Sequence, residues 1–133
     1  MPFGTAYVVT NIGKAMFADR MRTSPGTYTS SPKYIAMGVG ATGAGRTAAV
    51  TDTALTTEVE TRTIGVESTV TTSVTNDTYQ NVGTITASGS RNVDEAMLND
   101  ASSSGNMFLS ATFPVIALTV GQAVQFTAKV QLN

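Results

Sequence analysis

The sequence predicts a mainly β protein: an antiparallel, jelly-roll-like β-sandwich with one short α-helix near the N-terminus. Three observations support this fold class. Threonine and valine are abundant, and their branched side chains suit a pleated surface better than a helix. About seven or eight short strand-like segments alternate with turn residues. A single segment has helical periodicity, so the helix is an addition to a β framework.

The chain has 133 residues and no internal repeat, which fits one domain spanning residues 1–133. Residues 1–9 open this domain either as an arm that reaches a neighbouring molecule or as the first strand of the sandwich. The N-terminal sequence lacks the basic and apolar regions of a secretory signal. The apolar runs fall far short of the roughly 20 residues that span a bilayer, so we expect no membrane partner.

The helix is predicted over residues 11–22. Thr10 or Asn11 can cap it, because a side-chain oxygen at this position accepts from an early backbone N–H. Arg20 and Arg22 suit the negative end of the helix dipole, and residues 24–26 (Ser-Pro-Gly) end it. The predicted stripe at helical spacing consists of Ile12, Ala15, Met16, Ala18, Asp19 and Met21.

The strands are recognised by their alternating pattern and by the turn residues between them. We predict strands over residues 33–39, 58–64, 66–75, 79–87, 93–99 and 107–113, with Pro114 ending the last of these. Over 107–113, one face is predicted to carry Met107, Leu109, Ala111 and Phe113, and the other to carry Phe108, Ser110 and Thr112. The last predicted strand has the longest alternation of apolar and polar residues. Its predicted buried face carries Val124, Phe126, Ala128, Val130 and Leu132.

Composition excludes several classes of function. The chain contains neither cysteine nor histidine, which removes disulfides, thiol chemistry and the commonest general base and metal ligand. Charged residues make up 13% of the chain and the net charge is −1, so the basic surface of a nucleic-acid-binding protein is missing. We therefore predict a protein that is not an enzyme, with no catalytic residue, cofactor or metal ion.

Two glycine-rich patterns resemble nucleotide-binding motifs. Residues 38–43 match G-x-G-x-x-G, and residues 40–47 approach a P-loop with Arg46 in the place of its lysine. Both motifs need a helix that begins directly after the loop and presents its N-terminus to phosphate. The residues that follow carry no helical pattern, so we interpret this segment as a flexible loop.

Two groups of residues that contain carboxylates could form sites. Glu58 and Glu60 lie on one face of a predicted strand about 7 Å apart, and we interpret them as solvated charges at a sheet edge. A second group could offer oxygen ligands to calcium but lacks the spacing of a calcium-binding loop. Its members are Asp94, Glu95, Asn99 and Asp100.

The low charge also predicts that much of the surface is covered by other molecules. A surface with so few charges is poorly soluble when fully exposed. Aromatic side chains outside the clearest core strands are candidate anchors for such contacts. These candidate interface residues are Phe3, Tyr7, Tyr28 and Tyr34.

Several segments also occur in a characteristic order between residues 10 and 132. They are Asn11-Ile12-Gly13-Lys14-Ala15, Tyr34-Ile35-Ala36-Met37-Gly38-Val39-Gly40, Ala49-Val50-Thr51-Asp52-Thr53-Ala54-Leu55 followed by Glu58 and Arg62, Val93-Asp94-Glu95-Ala96-Met97-Leu98-Asn99, Ser104-Gly105-Asn106-Met107-Phe108-Leu109, and Phe113-Pro114 before the last strand. In this order the chain resembles a group of small virion proteins of tailed bacteriophages, described as capsid decoration (cement) or tail-fibre-like proteins. In that group a Glu-Val/Ala-Gly-Leu-Phe-Asn-Ala pattern begins at the position of Glu95, and Met97 takes the place of its glycine.

The resemblance implies a structural role and carries no catalytic residue. A decoration protein would bind the outer head surface, as a homotrimer, and would bridge neighbouring subunits of the major capsid protein. It would be found on the virion, and in the host cytoplasm during assembly. The alternative that the resemblance leaves open is a tail or tail-fibre component involved in host attachment.

Overall fold

Eight strands and one helix form the described part of the chain, which is residues 7–22 and 26–132 of a computed structural model. In chain order they are β1 (Tyr7–Val9), α1 (Asn11–Arg20), β2 (Tyr34–Val39), β3 (Thr57–Ile64), β4 (Val66–Val70), β5 (Thr78–Thr86), β6 (Arg91–Asn99), β7 (Met107–Leu118) and β8 (Ala123–Gln131). One sheet has the order β1-β7-β6-β2-β3 and the other has the order β4-β5-β8. Every pairing is antiparallel. This arrangement confirms the predicted sandwich with one short helix.

The main core lies between the two sheets. Ile35 of β2 and Leu109 of β7 come from the larger sheet, and Phe126 of β8 comes from the smaller one. All three side chains are fully buried. The rings of Phe113 and Phe126 meet with centroids 6.1 Å apart, which links the sheets through an aromatic contact.

A second, smaller core covers the other face of the five-stranded sheet. It contains Ala36, Leu55, Met97 and Met107. Leu55 belongs to residues 40–56, a segment without helix or strand that we call the covering segment. Because neighbouring residues of a strand point to opposite faces, the central strands β2, β6 and β7 are buried on both sides.

The predicted alternation of β7 is correct from Leu109 to Phe113 and wrong at its start. Phe108 packs in the main core, whereas Met107 packs in the second core. The register between β6 and β7 shifts opposite these residues, since Leu98 pairs with Leu109 but Asn99 pairs with Met107. This irregularity inserts one extra residue into β7, so that Met107 points to the face of the sheet opposite to the predicted one.

Pro114 does not end β7, contrary to the prediction. The strand continues to Leu118, and its register with β6 shifts between the pairs Glu95–Thr112 and Val93–Ile116. Pro114 therefore lies in an irregular part of the ladder, where the missing N–H of proline is tolerated.

The buried face of β8 is predicted correctly except at its end. Val124, Phe126 and Ala128 are buried and Val130 is partly buried, but Leu132 is 53% exposed. The pairing with β5 stops at Gln131. Leu132 therefore lies one residue past the last pair of the ladder, where the sheets no longer cover its side chain.

Helix α1 begins where predicted. Thr10 is the N-cap, and its side chain accepts a hydrogen bond from the N–H of Gly13 at 2.9 Å. Thr10 also donates through its backbone N–H to the Phe108 carbonyl at 3.1 Å and through its hydroxyl to the Met107 carbonyl. A Cβ on Gly13 would lie 2.2 Å from the Phe108 carbonyl oxygen, so only glycine lets the helix approach β7 this closely.

The buried face of α1 differs from the predicted stripe, and the helix ends two residues early at Arg20. Gly13, Met16 and Asp19 face inward, while the predicted stripe residues Ala15, Ala18 and Met21 are exposed. The close approach at Gly13 fixes the rotation of the helix. The Asp19 carboxylate is buried because it accepts from the N–H groups of residues 27 and 28, at 3.2 and 3.0 Å.

The strand predicted over residues 66–75 ends at Val70. Asp77 causes this end, because its carboxylate accepts hydrogen bonds from the backbone N–H groups of residues 72–74 at 2.8 to 3.0 Å. These bonds, with that of Val74 foremost, lower the pKa of Asp77. The result is a tight loop that carries an exposed Val74.

Residues 7–9 form the first strand of the larger sheet. Tyr7, Val8 and Val9 pair with Ala111, Ser110 and Leu109 of β7. The remainder of the segment predicted as an arm or a strand, residues 1–6, lies outside the described residues.

Replacement of Phe126 by alanine tests the main core. We expect Phe126→Ala to lower the free energy of unfolding by about 3–5 kcal/mol, because it leaves a cavity between the sheets. Lys129→Ala, on the exposed face of the same strand, should change it by less than about 0.5 kcal/mol. Urea denaturation measures both variants, and a loss below about 1 kcal/mol for Phe126→Ala would contradict this placement of the core.

Candidate functional site

The structure does not gather the candidate interface residues into one site. Tyr7 is 40% exposed on β1, at one edge of the larger sheet. Tyr34 begins β2, which β7 and β6 separate from β1, and the ammonium of Lys33 lies 5.8 Å from the centre of its ring. Tyr28 is partly buried against the main core. Phe3 lies outside the described residues.

The glycine-rich loop holds a carboxylate of its own chain. The backbone N–H groups of Ala41 and Thr42 donate to the two carboxylate oxygens of Asp94, at 3.1 and 2.7 Å. In a nucleotide site such amides would bind phosphate. Residues 46–56, all of them described, contain no helix after the loop, so Asp94 fixes the loop to β6.

Arg46, which occupies the place of the P-loop lysine, is the centre of a polar cluster. Its guanidinium donates to Glu95 at 2.7 Å, to Asp52 at 2.6 Å and to the Ser110 hydroxyl at 3.1 Å. Ser110 in turn donates to Asp52 at 2.6 Å. We call these four residues the Arg46 network. The network ties the covering segment to β6 and β7.

Glu95 is the fully buried carboxylate of the network, since its side chain is inaccessible to solvent. It also accepts from the Thr56 hydroxyl and the Thr57 N–H, both at 3.1 Å. A Cβ on Gly38 of the neighbouring strand would lie 2.5 Å from its carboxylate, so glycine makes room for this group. Burial raises the pKa of Glu95, and the hydrogen bonds and the Arg46 charge oppose that rise.

The four residues that could offer oxygen ligands to calcium each bond to different partners. Asp94 bonds to the glycine-rich loop and Glu95 to the Arg46 network. Asn99 accepts from the Ala101 N–H at 3.0 Å, and Asp100 accepts from the backbone and side chain of Asn106 at 2.7 and 2.9 Å. Within residues 7–22 and 26–132, no group of three or more acidic side chains is placed to hold a metal ion.

The interpretation of Glu58 and Glu60 as solvated edge charges is correct for the first residue only. Glu58 is exposed and pairs with Arg62 at 2.7 Å. The side chain of Glu60 is 9% exposed and accepts from Arg91 at 2.8 Å and from the Ser88 N–H at 3.1 Å. The φ of Glu60 is +64°, and the register with β2 shifts in this region. This bulge turns Glu60 toward Arg91, and the Ser88 and Arg91 hydrogen bonds lower its pKa.

Sequence reasoning did not predict a groove of about 370 Å³ beside α1. Helix α1 contributes Met16, Phe17 and Arg20, and the remainder comes from the two sheets and the segment before β2. We call it the α1 groove, and its other lining residues are Ser31, Pro32, Glu67, Tyr79, Phe108, Val130 and Leu132. Its signal in the sequence was Phe17, a large apolar residue of the helix that lies outside the predicted stripe.

Polar groups at the α1 groove are few and specific. The Tyr79 hydroxyl lies 3.0 Å from both the Pro32 carbonyl oxygen and the Glu67 carboxylate. The other Glu67 oxygen accepts from the Ser31 hydroxyl at 3.1 Å. Burial, followed by the nearby Glu67 charge, raises the pKa of Tyr79, so this hydroxyl remains a donor at neutral pH. Arg20 donates to the Thr29 carbonyl at 2.7 Å.

Comparisons of the chain with protein-family models, with curated proteins and with solved structures find no match. Among the described residues, no helix has the length and apolar character needed to cross a membrane. The geometry therefore offers two features to interpret: the Arg46 network, which is internal, and the α1 groove, which is open.

The Arg46 network gives a pH-dependent prediction. Arg46→Ala leaves Glu95 buried without its counter-ion, and we expect a loss of about 3–5 kcal/mol in the free energy of unfolding at pH 8. Without Arg46, the pKa of Glu95 rises further above its unfolded value of 4.5. The unfolded state is common to both proteins, so the loss relative to wild type grows as the pH rises through the folded-state pKa of Glu95 in wild type, which burial already holds above 4.5.

Urea denaturation of wild type and variant at pH 4 and pH 8 measures this difference. Arg22→Ala is the control, since it removes an arginine that is 63% exposed from its ion pair with Asp19 and should cost less than about 1 kcal/mol. Adding Glu95→Gln to Arg46→Ala should reduce the loss at pH 8. An equal loss at both pH values would show that Glu95 is not the group left uncompensated.

Proposed function

We propose that this chain is a structural protein of a tailed-bacteriophage virion: a capsid decoration protein that binds the outer head surface and bridges major capsid subunits. The observation that carries the proposal is the ordered set of sequence segments that resembles such virion proteins. In this proposal the protein works by binding and uses no catalytic residue, cofactor or nucleic acid. It is present on the virion, and in the host cytoplasm during assembly.

The positions of these segments in the fold support the resemblance. Its most specific stretch, residues 50–55, supplies Asp52 to the Arg46 network and Leu55 to the second core. The segment 93–99 supplies Glu95 and Met97 to the same two features. Residues that hold the covering segment to the sheet are expected to recur in proteins with this fold. The segments that carry the resemblance therefore contain residues that stabilise the fold.

The surface supports a role in assembly. Only 13% of the residues are charged, and several large apolar side chains in the described part of the chain are at least 40% exposed. Examples on different elements are Phe17 on α1, Val66 on β4, Val115 on β7 and Val120 in the turn before β8. Contact with the capsid and with copies of the chain in a homotrimer would cover such groups and remove their cost in water.

Immunolabelling of virions tests the proposal directly. An antibody against the folded chain should label the heads of particles produced by the phage or prophage that carries the gene. Sedimentation of the purified protein should give the mass of a trimer. Label on the tail would replace the head assignment with a tail or tail-fibre role in host attachment. A monomer at high concentration that is absent from virions would overturn the structural role altogether.

Replacement of Tyr7 by alanine tests the proposed interface. We expect Tyr7→Ala to weaken attachment to capsids or assembly of the trimer by at least about tenfold, as loss of an aromatic anchor does. Its fold stability should change by less than about 1 kcal/mol, because the ring is partly exposed at a sheet edge. Lys129→Ala, at an exposed polar position of β8, is the control. Unchanged occupancy on virions would remove Tyr7 from the interface.

A further inference from the structure

We propose that the α1 groove is a docking site for a segment of another polypeptide that presents a large apolar side chain next to a carboxylate. The proposal rests on the geometry of the groove and does not require the virion assignment. Three features of the groove define the chemistry of the occupant: an apolar floor, a cation that has no acidic partner among the described residues, and a hydrogen-bond acceptor on a separate element.

The floor and rim of the groove are apolar. Met16 and Phe108 are almost fully buried beneath it, whereas Phe17 and Leu132 at the rim are 40% and 53% exposed. Exposed apolar surface costs about 25 cal/mol per Å² in water. The volume of about 370 Å³ falls within the usual range for binding pockets, roughly 300–1,000 Å³. A large apolar side chain is therefore the group that the floor favours.

Arg20 selects the charge of the occupant. Its guanidinium donates to the Thr29 carbonyl, and no carboxylate of the described residues lies within 4.0 Å of it. A guanidinium has five N–H donors in a planar fork that matches a carboxylate. Because Arg20 lines the same groove as Phe17, one occupant can satisfy both with an apolar group and a neighbouring carboxylate.

Glu67 favours a peptide over a fatty acid. Its carboxylate lines the groove from β4 and accepts from Tyr79 and Ser31. An ionised carboxylate has about four lone-pair sites, so it can accept further hydrogen bonds. A peptide can donate hydrogen bonds from its backbone N–H groups to this carboxylate. An acyl chain has no donor, so it would displace water from the carboxylate without replacing the lost hydrogen bonds.

Two matched peptides test the proposal on the full chain. Acetyl-Leu-Phe-Asp-amide and acetyl-Leu-Phe-Asn-amide have nearly the same shape and differ in one charge. In NMR titrations of the ¹⁵N-labelled protein, both should shift the amide signals of residues that line the groove. The aspartate peptide should bind about two- to fivefold more tightly, which corresponds to an exposed ion pair of up to about 1 kcal/mol.

Variants separate the contributions of charge and apolar contact. Arg20→Gln should remove the preference for the aspartate peptide, and Phe17→Ser should weaken the binding of both peptides. Lys14→Gln removes a positive charge from an exposed position of the same helix outside the groove, so it should leave the preference unchanged. Thermal denaturation checks that each variant remains folded.

Three results would overturn the proposal. The first is the absence of shifts at groove residues with either peptide. The second is a preference for aspartate that survives in Arg20→Gln. The third is tighter binding of decanoate than of the aspartate peptide, which would assign the groove to lipid-like anions. None of these results depends on whether the antibody labels virions, so the two proposals fail separately.

Discussion

The buried ion pair between Arg46 and Glu95 is the constraint on which the covering segment depends. A carboxylate without solvent contact is costly unless a counter-ion and hydrogen-bond donors surround it. The chain meets this requirement by folding residues 40–56 over the sheet, so that Arg46, Thr56 and Thr57 reach Glu95 together. The same fold places Leu55 on the second core. A segment without regular structure thereby becomes a fixed layer of the protein.

Carboxylates hold irregular parts of the chain in several other places. Asp94 accepts from the glycine-rich loop, Asp19 from the segment that follows α1, and Asp77 from the loop after β4. In each case a backbone that lacks ladder partners finds an acceptor in a side chain. Within the patterns that resemble nucleotide or calcium sites, Asp94 and Asp100 thus accept from backbone N–H groups of the same chain, whereas Arg46 and Glu95 bond to each other.

The orientation of α1 connects the core to the surface. Gly13 brings the helix against β7, and Met16 then enters the main core. With this rotation fixed, Phe17 and Arg20 line the groove, and Met21 remains in solvent. The apolar content of the helix thus serves two purposes, packing on one face and an open surface on another. The groove is a consequence of helix placement and has no motif of its own.

The sequence by itself determined the fold class, a count of about seven or eight strands, the start of α1 after a cap at Thr10 or Asn11, and most of the buried face of β8. These properties depend on local periodicity and on capping, which neighbouring residues along the chain decide. Only the tertiary structure decided the pairing of Arg46 with Glu95, the reversal of faces at Met107 and the rotation of α1. Each depends on residues far apart in the sequence: Arg46 and Glu95 are separated by 49 positions. Their contact exists only after the sheet has formed, because the sheet brings the two side chains to one buried surface.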